Sequence, residues 1–347
     1  SRVADFRSDD MDPQDIHGPF VLSQPAFCGP ICAEGSLLDL RWFDERTIPK
    51  MSEYRFRIAG FTLALRLPYG WDVDTLLPSF RAFRIDAHDS SELLLVCAVR
   101  PLRGEYSAES SDMLLEETVN DMGRVRLYAG SGEYRFTLCA RPGGAVHVMR
   151  ASSDFSGVEV LLCPEDRDAG YILSSLLRIA YSQAILYHDA LSIHASAVCC
   201  EGRACLFMGK SGTGKSTHSA LWTRYVPGTE LLNDDNPTIR ILEDAAYAYG
   251  TPWSGKTPCY RPLSFPVGGM VRLKQASANR FRRQEGANAF VAIYPGCSVI
   301  GQDAGLRSHL YDTLVCLAEM VPVGVLECLP DREAALLCHR ELLMAES

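Results

Sequence analysis

A glycine-rich stretch that ends in a lysine and two hydroxyl residues lies in the middle of the chain. Residues 204–208 before it are apolar and predict a buried strand, and residues 216–225 after it predict a helix. Glycine lets backbone N–H groups turn toward an anion, and the first turn of a helix adds unpaired donors. Glycine, four residues and then Gly-Lys-Ser between a strand and a helix predicts a nucleotide-binding P-loop. Its residues are Gly209, Lys210, Ser211, Gly212, Thr213, Gly214, Lys215, Ser216 and Thr217. The alternative is a Gly/Ser-rich loop of chance composition.

Two side chains of this loop suit phosphoryl transfer. Lys215 can reach the β- and γ-phosphate oxygens, and Ser216 can offer its hydroxyl to Mg²⁺. The sequence therefore predicts ATP and Mg²⁺ as cofactors. Lys215 is then a catalytic residue, and Ser216 is a metal ligand.

A pair of aspartates follows the apolar segment 230–233. Asp234 can bind the metal, and Asp235 can take the proton of an acceptor hydroxyl. Successive strand residues point to opposite faces, so both carboxylates can serve one site only if the strand ends there. Both are predicted as catalytic residues, with Asp234 also a metal ligand. The alternative is an Asp-rich turn at the end of a strand.

A loop rich in glycine and proline, residues 250–257, carries a further cation. Lys256 and the nearby Arg261 could neutralise the charge of a transferring phosphate, and both are predicted as catalytic residues. Trp253 could shape the wall of a pocket. The alternative is an ordinary surface loop in which Trp253 packs on the core.

The composition argues against several other functions. The net charge of −9 at pH 7 implies no general affinity for nucleic acid, and Arg280, Arg282 and Arg283 are interpreted as a solvated face or loop. No apolar run reaches the roughly 18 residues that indicate a membrane span. The thirteen cysteines are odd in number and follow no secretory signal, so a reducing cytoplasm is expected. The Cys28–Cys32 spacing lacks a matching second pair and predicts no zinc site.

The chain that must position these residues divides into three parts. Residues 1–50 are weakly patterned and are treated as an extension. Residues 51–165 contain a hairpin and further apolar segments with period-2 alternation, which predicts a β-rich N-terminal domain built as an antiparallel meander. Residues 166–347 are predicted to form an α/β P-loop domain. Its first elements are a bridging helix at 170–190 and a strand at 191–198.

Three features of this last part together resemble a known family: the strand with His194, the glycine loop and the strand that ends in Asn233, Asp234 and Asp235. They resemble the catalytic domain of HPr kinase/phosphorylase, which is related in fold to phosphoenolpyruvate carboxykinase. The resemblance covers roughly residues 190–345. It implies the HPr kinase type of P-loop kinase fold for this region.

The resemblance also implies roles for individual residues. Lys215 grips phosphate, Ser216 and Asp234 handle the metal, and Asp235 is the base. His194 lies beside the phosphates or orients the acceptor as a catalytic residue; without the family, it is equally a structural strand residue. By contrast, His218, His309 and His339 are expected on helix surfaces without a catalytic role.

The chain departs from this family at three places. Thr217 stands where the family has an acidic residue. The family's glycine-containing signature after the aspartates is not found, and residues 250–256 are the candidate segment in its place. Residues 51–165 do not resemble the usual N-terminal domain of these enzymes. HPr itself is therefore not the expected acceptor.

These observations favour a cytoplasmic, Mg²⁺- and ATP-dependent kinase that phosphorylates a hydroxyl, such as a serine of a protein or peptide. One alternative is a kinase of a small metabolite such as free serine. Another is a non-catalytic nucleotide-binding regulator whose β-rich half binds a partner. A carboxykinase reaction is less favoured, because no His/Lys/Asp cluster for a second metal is evident. Nucleic acid and membrane are not expected as partners, and a homo-oligomer is left open.

Overall fold

The computed structural model describes residues 50–102, 113–130 and 132–344. They form two large mixed β-sheets with helices packed on them, which is an α/β architecture. The finer assignment to an HPr kinase type of P-loop fold stays a prediction. Apart from Lys50, the predicted extension 1–50 lies outside the described residues. Within the described ranges, no helix is both long and apolar enough to cross a lipid bilayer.

The first sheet consists of the nine strands described before residue 165. They are β1 Met51–Ile58, β2 Phe61–Pro68, β3 Arg84–Ile85, β4 Leu93–Pro101, β5 Met113–Asn120, β6 Gly123–Ala129, β7 Glu133–Cys139, β8 His147–Ser152 and β9 Gly157–Leu162. Their order across the sheet is β3-β1-β2-β4-β9-β8-β7-β6-β5.

The expected antiparallel meander holds only for β5 to β9 and is wrong for the centre of this sheet. There β2 pairs with β4, and β4 with β9, in parallel. Parallel neighbours need a crossover, and the chain between β2 and β4 makes it through helix α1, Val73–Leu76, and a 3₁₀ helix, Pro78–Phe83. Alternation of apolar residues indicates which face is buried but not strand direction, so the pattern could not show this.

The second sheet consists of the nine strands described from residue 190 onward. They are β10 Ala190–Ser192, β11 Ala195–Cys200, β12 Arg203–Met208, β13 Glu230–Asn233, β14 Thr238–Leu242, β15 Ala245–Tyr249, β16 Ser264–Gln275, β17 Arg280–Gln284 and β18 Val323–Cys328. The main order is β10-β14-β15-β16-β12-β11-β13, and β18 joins β16 and β17. The pairs β12–β16 and β16–β18 are parallel.

The strand predicted at 191–198 is interrupted at Ile193 and His194. The chain changes partners there: β10 pairs with β14, whereas β11 pairs with β12 and β13. At the break the backbone N–H of Ile193 donates to Pro237 and that of His194 donates to Gly296. His194 therefore lies at a switch between strand partners, where its side chain is released from the regular sheet.

In the described part of the chain, five further α-helices follow the first sheet. They are α2 Ala169–Ala184, α3 Lys215–Tyr225, α4 Gly286–Ile293, α5 Ala304–Met320 and α6 Arg332–His339. Asp331 caps α6, since its Oδ1 accepts the N–H of Ala334 at 2.8 Å. Arg280, Arg282 and Arg283, interpreted as a solvated face or loop, lie in strand β17 with exposed side chains, so they form a solvated face and not a loop.

Helix α2 packs on strands of the first sheet, and its residues share one hydrophobic cluster with both sheets. Trp253 from the second half of the chain joins this cluster. Its ring lies 5.6 Å from that of Phe80 and 5.0 Å from that of Tyr181, and its Nε1 donates to Ser174 O at 3.0 Å. Apolar contact thus fixes the two halves against each other, and the predicted domain boundary at residue 165 stays a prediction.

A second apolar cluster lies beneath α3 and α6, and it corrects two of the histidine predictions. His218 is buried, not on a helix surface, and its Nε2 accepts a hydrogen bond from Trp222 Nε1 at 3.1 Å. Burial lowers the pKa of His218 to about 4. His339, at the end of α6, is also buried, whereas His309 is exposed as expected.

Candidate functional site

The glycine loop lies between β12 and α3, so the structure has the strand, loop and helix in the predicted order. Gly209, Gly212 and Gly214 have φ values of 154°, 80° and 104°, which are strained for residues with a Cβ. Gly214 is the N-cap of α3, and within the described chain no side chain caps this helix. The first N–H groups of α3 therefore keep their capacity to bind an anion.

Lys215 folds over the loop that precedes it. Its Nζ donates to Gly209 O at 3.0 Å and to Lys210 O at 3.3 Å, and the residue is buried. Burial lowers the pKa of Lys215, against the opposing charges of Asp235 and Asp234. The ammonium group is thus held at the mouth of the loop by carbonyls that a phosphate oxygen could replace.

The acid pair begins where β13 ends at Asn233, as its use in one site requires. The Asn233 side chain builds the turn: its Oδ1 accepts the N–H of Asp235 at 3.0 Å and of Asn236 at 2.9 Å. Its Nδ2 donates to Trp253 O at 3.0 Å. Asn233 is fully buried, so one amide fixes the acid turn against the loop at 250–257.

Asp234 points toward α3 and is buried. Its Oδ1 accepts a hydrogen bond from Ser196 Oγ at 2.8 Å, and the Ser196 and Ser219 hydroxyl oxygens are 2.6 Å apart. Its Oδ2 accepts the N–H of Thr257 at 3.3 Å. These contacts tie Asp234 to the helix that carries Ser216 in its first turn.

Asp235 points to the other side, toward the side chains of α2 and of the strand switch. Its Oδ2 accepts a hydrogen bond from Arg178 Nη1 at 3.0 Å, and its Oδ1 lies 3.5 Å from His194 Nε2. Burial, with the positive charge of Lys215, lowers the pKa of His194 to about 4, although Asp235 opposes the shift. His194 is therefore neutral at pH 7.

A cavity of about 970 Å³ opens in front of Asp235 and is lined from both sheets. The second half of the chain contributes His194, Lys256 and residues 209–211. The first sheet contributes the β5–β6 turn at 120–122, which is held in place because Tyr171 Oη donates to Asp121 O at 2.9 Å. The β-rich half therefore forms one wall of the cavity.

The loop at 250–257 passes close over the acid turn. A Cβ at Gly255 would lie 2.9 Å from Asp234 O and 3.5 Å from Asp235 Cβ, so the approach depends on glycine here. Lys256 follows it at the cavity rim and is exposed. Trp253 fulfils both alternatives, because it lines the cavity and packs on the core.

The structure brings most of the predicted site residues together, but not Arg261. That guanidinium donates to Leu231 O and to Glu230 Oε2, both at 2.7 Å, along the β13 side of the sheet, and it does not line the cavity. Lys215 and Asp234 lie behind the cavity surface, and Thr217 is exposed on α3.

Sequence reasoning missed two residues that shape this site. Arg178 pairs with Asp235, and it is the one charged residue in the sequence of α2. That isolation in an apolar helix is a signal that could have singled it out, since a half-buried charge needs a partner. Asn233 stands out in the sequence only as the neighbour of the acid pair, and its role in the turn depends on contacts distant in sequence.

Comparison with known proteins adds little. No family model matches the chain, and no curated protein matches it. Among solved structures, the chain is similar to the "Hpr(Ser) kinase/phosphatase from Coxiella burnetii", with 15% identity over 45% of this chain and 88% of that chain, at a TM-score of 0.27. A similarity this low supports no conclusion about activity.

Proposed function

We propose that the chain is a Mg²⁺- and ATP-dependent kinase that transfers the γ-phosphoryl group to a hydroxyl. The observation that carries this proposal is the placement of a glycine loop with its lysine next to a fixed acid pair. Asp234 and Asp235 face opposite ways from one turn, the first toward α3 and the second into the cavity. Phosphoryl transfer needs a phosphate cradle, a metal ligand and a group that takes the hydroxyl proton, in that spatial order.

The triphosphate binds at the loop and the first turn of α3. Lys215 exchanges its contacts with Gly209 O and Lys210 O for β- and γ-phosphate oxygens. Lys256 at the rim neutralises charge on the transferring group, as its exposed position on the glycine-bounded loop allows. These positive groups supply the counter-charge that a triphosphate requires.

Ser216 and Asp234 are the residues that would hold Mg²⁺. They fit the ion: a hydroxyl and a carboxylate are hard oxygen donors, and a carboxylate that accepts two hydrogen bonds retains lone pairs for a cation. Bound Mg²⁺ would offset charge on the phosphate oxygens. Ser196 and the N–H of Thr257 keep the Asp234 carboxylate in one orientation for that role.

Asp235 takes the proton of the acceptor hydroxyl as the phosphoryl group transfers. Arg178 holds one carboxylate oxygen at 3.0 Å, which leaves the other, beside neutral His194, to face the acceptor. His194 then orients the hydroxyl by hydrogen bonding. Because its imidazole is neutral, it places no second positive charge beside Lys215.

The acceptor enters between the β5–β6 turn and the acid turn. The favoured acceptor is a serine of a protein or peptide, whose short side chain can reach Asp235 from the rim. The cavity volume favours a second candidate, a small hydroxyl metabolite such as free serine, because about 970 Å³ lies at the upper end of small-ligand pockets of roughly 300–1,000 Å³. A metabolite screen that detects ADP, without added protein acceptor, separates the two.

Transfer from labelled ATP tests the proposal. Lys215→Ala and Asp235→Asn should each lower the transfer rate by about 10²-fold or more, since each removes a group that acts in the transition state. Matched controls are Lys274→Ala and Asp312→Asn, which change exposed residues on β16 and α5. Full activity in both site variants would exclude the mechanism, and tight ATP binding without turnover in the wild type would favour the regulator.

A further inference from the structure

A second cluster of polar residues lies at the opposite end of the β11–β12 hairpin from the glycine loop. Cys200 ends β11, Glu201 starts the turn to β12, and His339 ends α6. Strand β12 separates this turn from the loop by six residues, or about 20 Å at 3.3 Å per residue. The cluster is therefore distinct from the proposed kinase site.

The three side chains converge on one point. The Cys200 thiol, a Glu201 carboxylate oxygen and an imidazole nitrogen of His339 all lie within 4.8 Å of one another. In tetrahedral zinc sites, ion–ligand distances of about 2.0–2.3 Å place ligand atoms roughly 3.3–3.6 Å apart. Movements of about 1 Å by these side chains would reach that geometry.

The unpaired ring nitrogen of buried His339 points to a bound ligand. This residue is 7% exposed, and its Nε2 lacks a hydrogen-bond partner within the part of the chain that the structure describes. Glu201 Oε1 is 3.3 Å from that nitrogen, but the contact does not have the direction of a hydrogen bond. A buried imidazole nitrogen without a partner is unfavourable unless something binds it.

The thiol of Cys200 is buried beside this imidazole and is held only weakly. Cys200 is 1% exposed, and its Sγ lies 4.0 Å from Pro227 O, the outer limit of a thiol hydrogen bond. Glu201 is exposed and closes the cluster toward solvent. Two buried donors and one carboxylate at the surface leave a single open direction for an additional ligand.

We propose that Cys200, Glu201 and His339 bind Zn²⁺, with a solvent molecule in the fourth position. A thiolate and an imidazole favour zinc over Mg²⁺ or Ca²⁺, which prefer oxygen donors. The ion ties the β11–β12 turn to the end of α6, next to the apolar cluster that supports α3. Binding releases the thiol proton, so affinity rises with pH.

The test is titration of the metal-free, reduced protein with Zn²⁺ in competition with a chromophoric chelator. The wild type should bind one equivalent at this site, and Co²⁺ in its place should give a thiolate-to-metal charge-transfer band. Cys200→Ser and His339→Asn should each weaken Zn²⁺ binding by at least about 10–100-fold, and Cys200→Ser should remove the band. Cys316→Ser and His309→Asn, both exposed on α5, serve as matched controls.

Glu201→Gln keeps the test decisive if the buried variants fail to fold. Glu201 is exposed in the turn, and glutamine preserves its size while removing the anionic ligand. It should fold as the wild type by circular dichroism and still bind Zn²⁺ at least about 10-fold more weakly. Absence of stoichiometric Zn²⁺ binding in the wild type, or wild-type affinity in a folded Glu201→Gln, would overturn the proposal.

Discussion

The two ends of the β11–β12 hairpin differ in the chemistry that they offer. At one end the chain leaves β12 through glycines and a lysine, and enters β11 beside His194, around an open cavity. At the other end a thiol and an imidazole are buried against each other. The strands between them are apolar and almost wholly buried, so they act as a rigid spacer. The polar contacts of the two sites therefore lie at or near the ends of these strands.

The first prediction concerns the glycine-loop end of the hairpin and removes Arg178, the residue that positions Asp235. Arg178→Ala deletes the ion pair that orients Asp235, so the carboxylate can rotate away from the acceptor. We expect kcat to fall by about 10²–10³-fold with little change in the KM for ATP, because a misplaced base affects the transition state more than nucleotide binding. Steady-state kinetics with labelled ATP measure both.

Arg178→Lys and Arg224→Ala are the controls for that variant. Lysine keeps the charge but not the forked geometry, so it should recover only part of the rate. Arg224 is exposed on α3 and away from Asp235, so its loss should leave kcat unchanged. A wild-type kcat in Arg178→Ala would mean that Asp235 does not act through this ion pair.

The same two ends show what sequence can predict. The glycine loop is encoded in consecutive residues, and the flanking strand and helix follow from their apolar pattern, so this end can be predicted from the amino-acid sequence alone. The other end brings together Cys200 and His339, which are far apart in sequence and carry no motif spacing. Only the tertiary packing that places the end of α6 beside the β11–β12 turn brings them together, and propensity and periodicity contain no information on that contact.

The features that sequence mispredicts have the same cause. Arg261 is a candidate because of its charge and its nearness in sequence to Lys256, but its guanidinium instead bonds along β13. His218 follows the glycine loop on a helix with only a weak amphipathic pattern, yet its ring is buried against Phe207 and Trp222. The parallel pairing of β2 with β4 likewise depends on a crossover. Local pattern predicts the elements well and their partners poorly.

The second prediction sharpens the comparison by separating the ends. Glu201→Gln should lose Zn²⁺ affinity while its phosphoryl-transfer rate stays within about twofold of wild type, as for a surface change of under about 0.5 kcal/mol. Lys215→Ala should lose transfer and keep Zn²⁺ binding. Zn²⁺ at about 100 times its Kd should raise the unfolding free energy of the wild type by about 2.7 kcal/mol. Thermal melts with and without Zn²⁺, run on the wild type and on both variants, check this.

A loss of transfer in Glu201→Gln, with the fold intact, would show instead that the hairpin couples its two ends. In that case the strands would transmit a change at the turn to His194 and the glycine loop. Independent behaviour is expected because both strands are held by neighbours on either side.

The smallest effect concerns pH. The pKa of His218 is lowered to about 4 in the folded chain, against about 6.5 when unfolded, so the unfolded state binds more protons between these values. The unfolding free energy must therefore fall as pH drops from 6.5 toward 4, with His218 contributing at most about 1.4 kcal/mol per pH unit. Chemical denaturation across this window should show a shallower slope for His218→Gln, whose amide oxygen can still accept from Trp222 Nε1. Equal slopes would mean that the pKa of His218 is not lowered in the folded protein, and hence that this imidazole is not shielded from water.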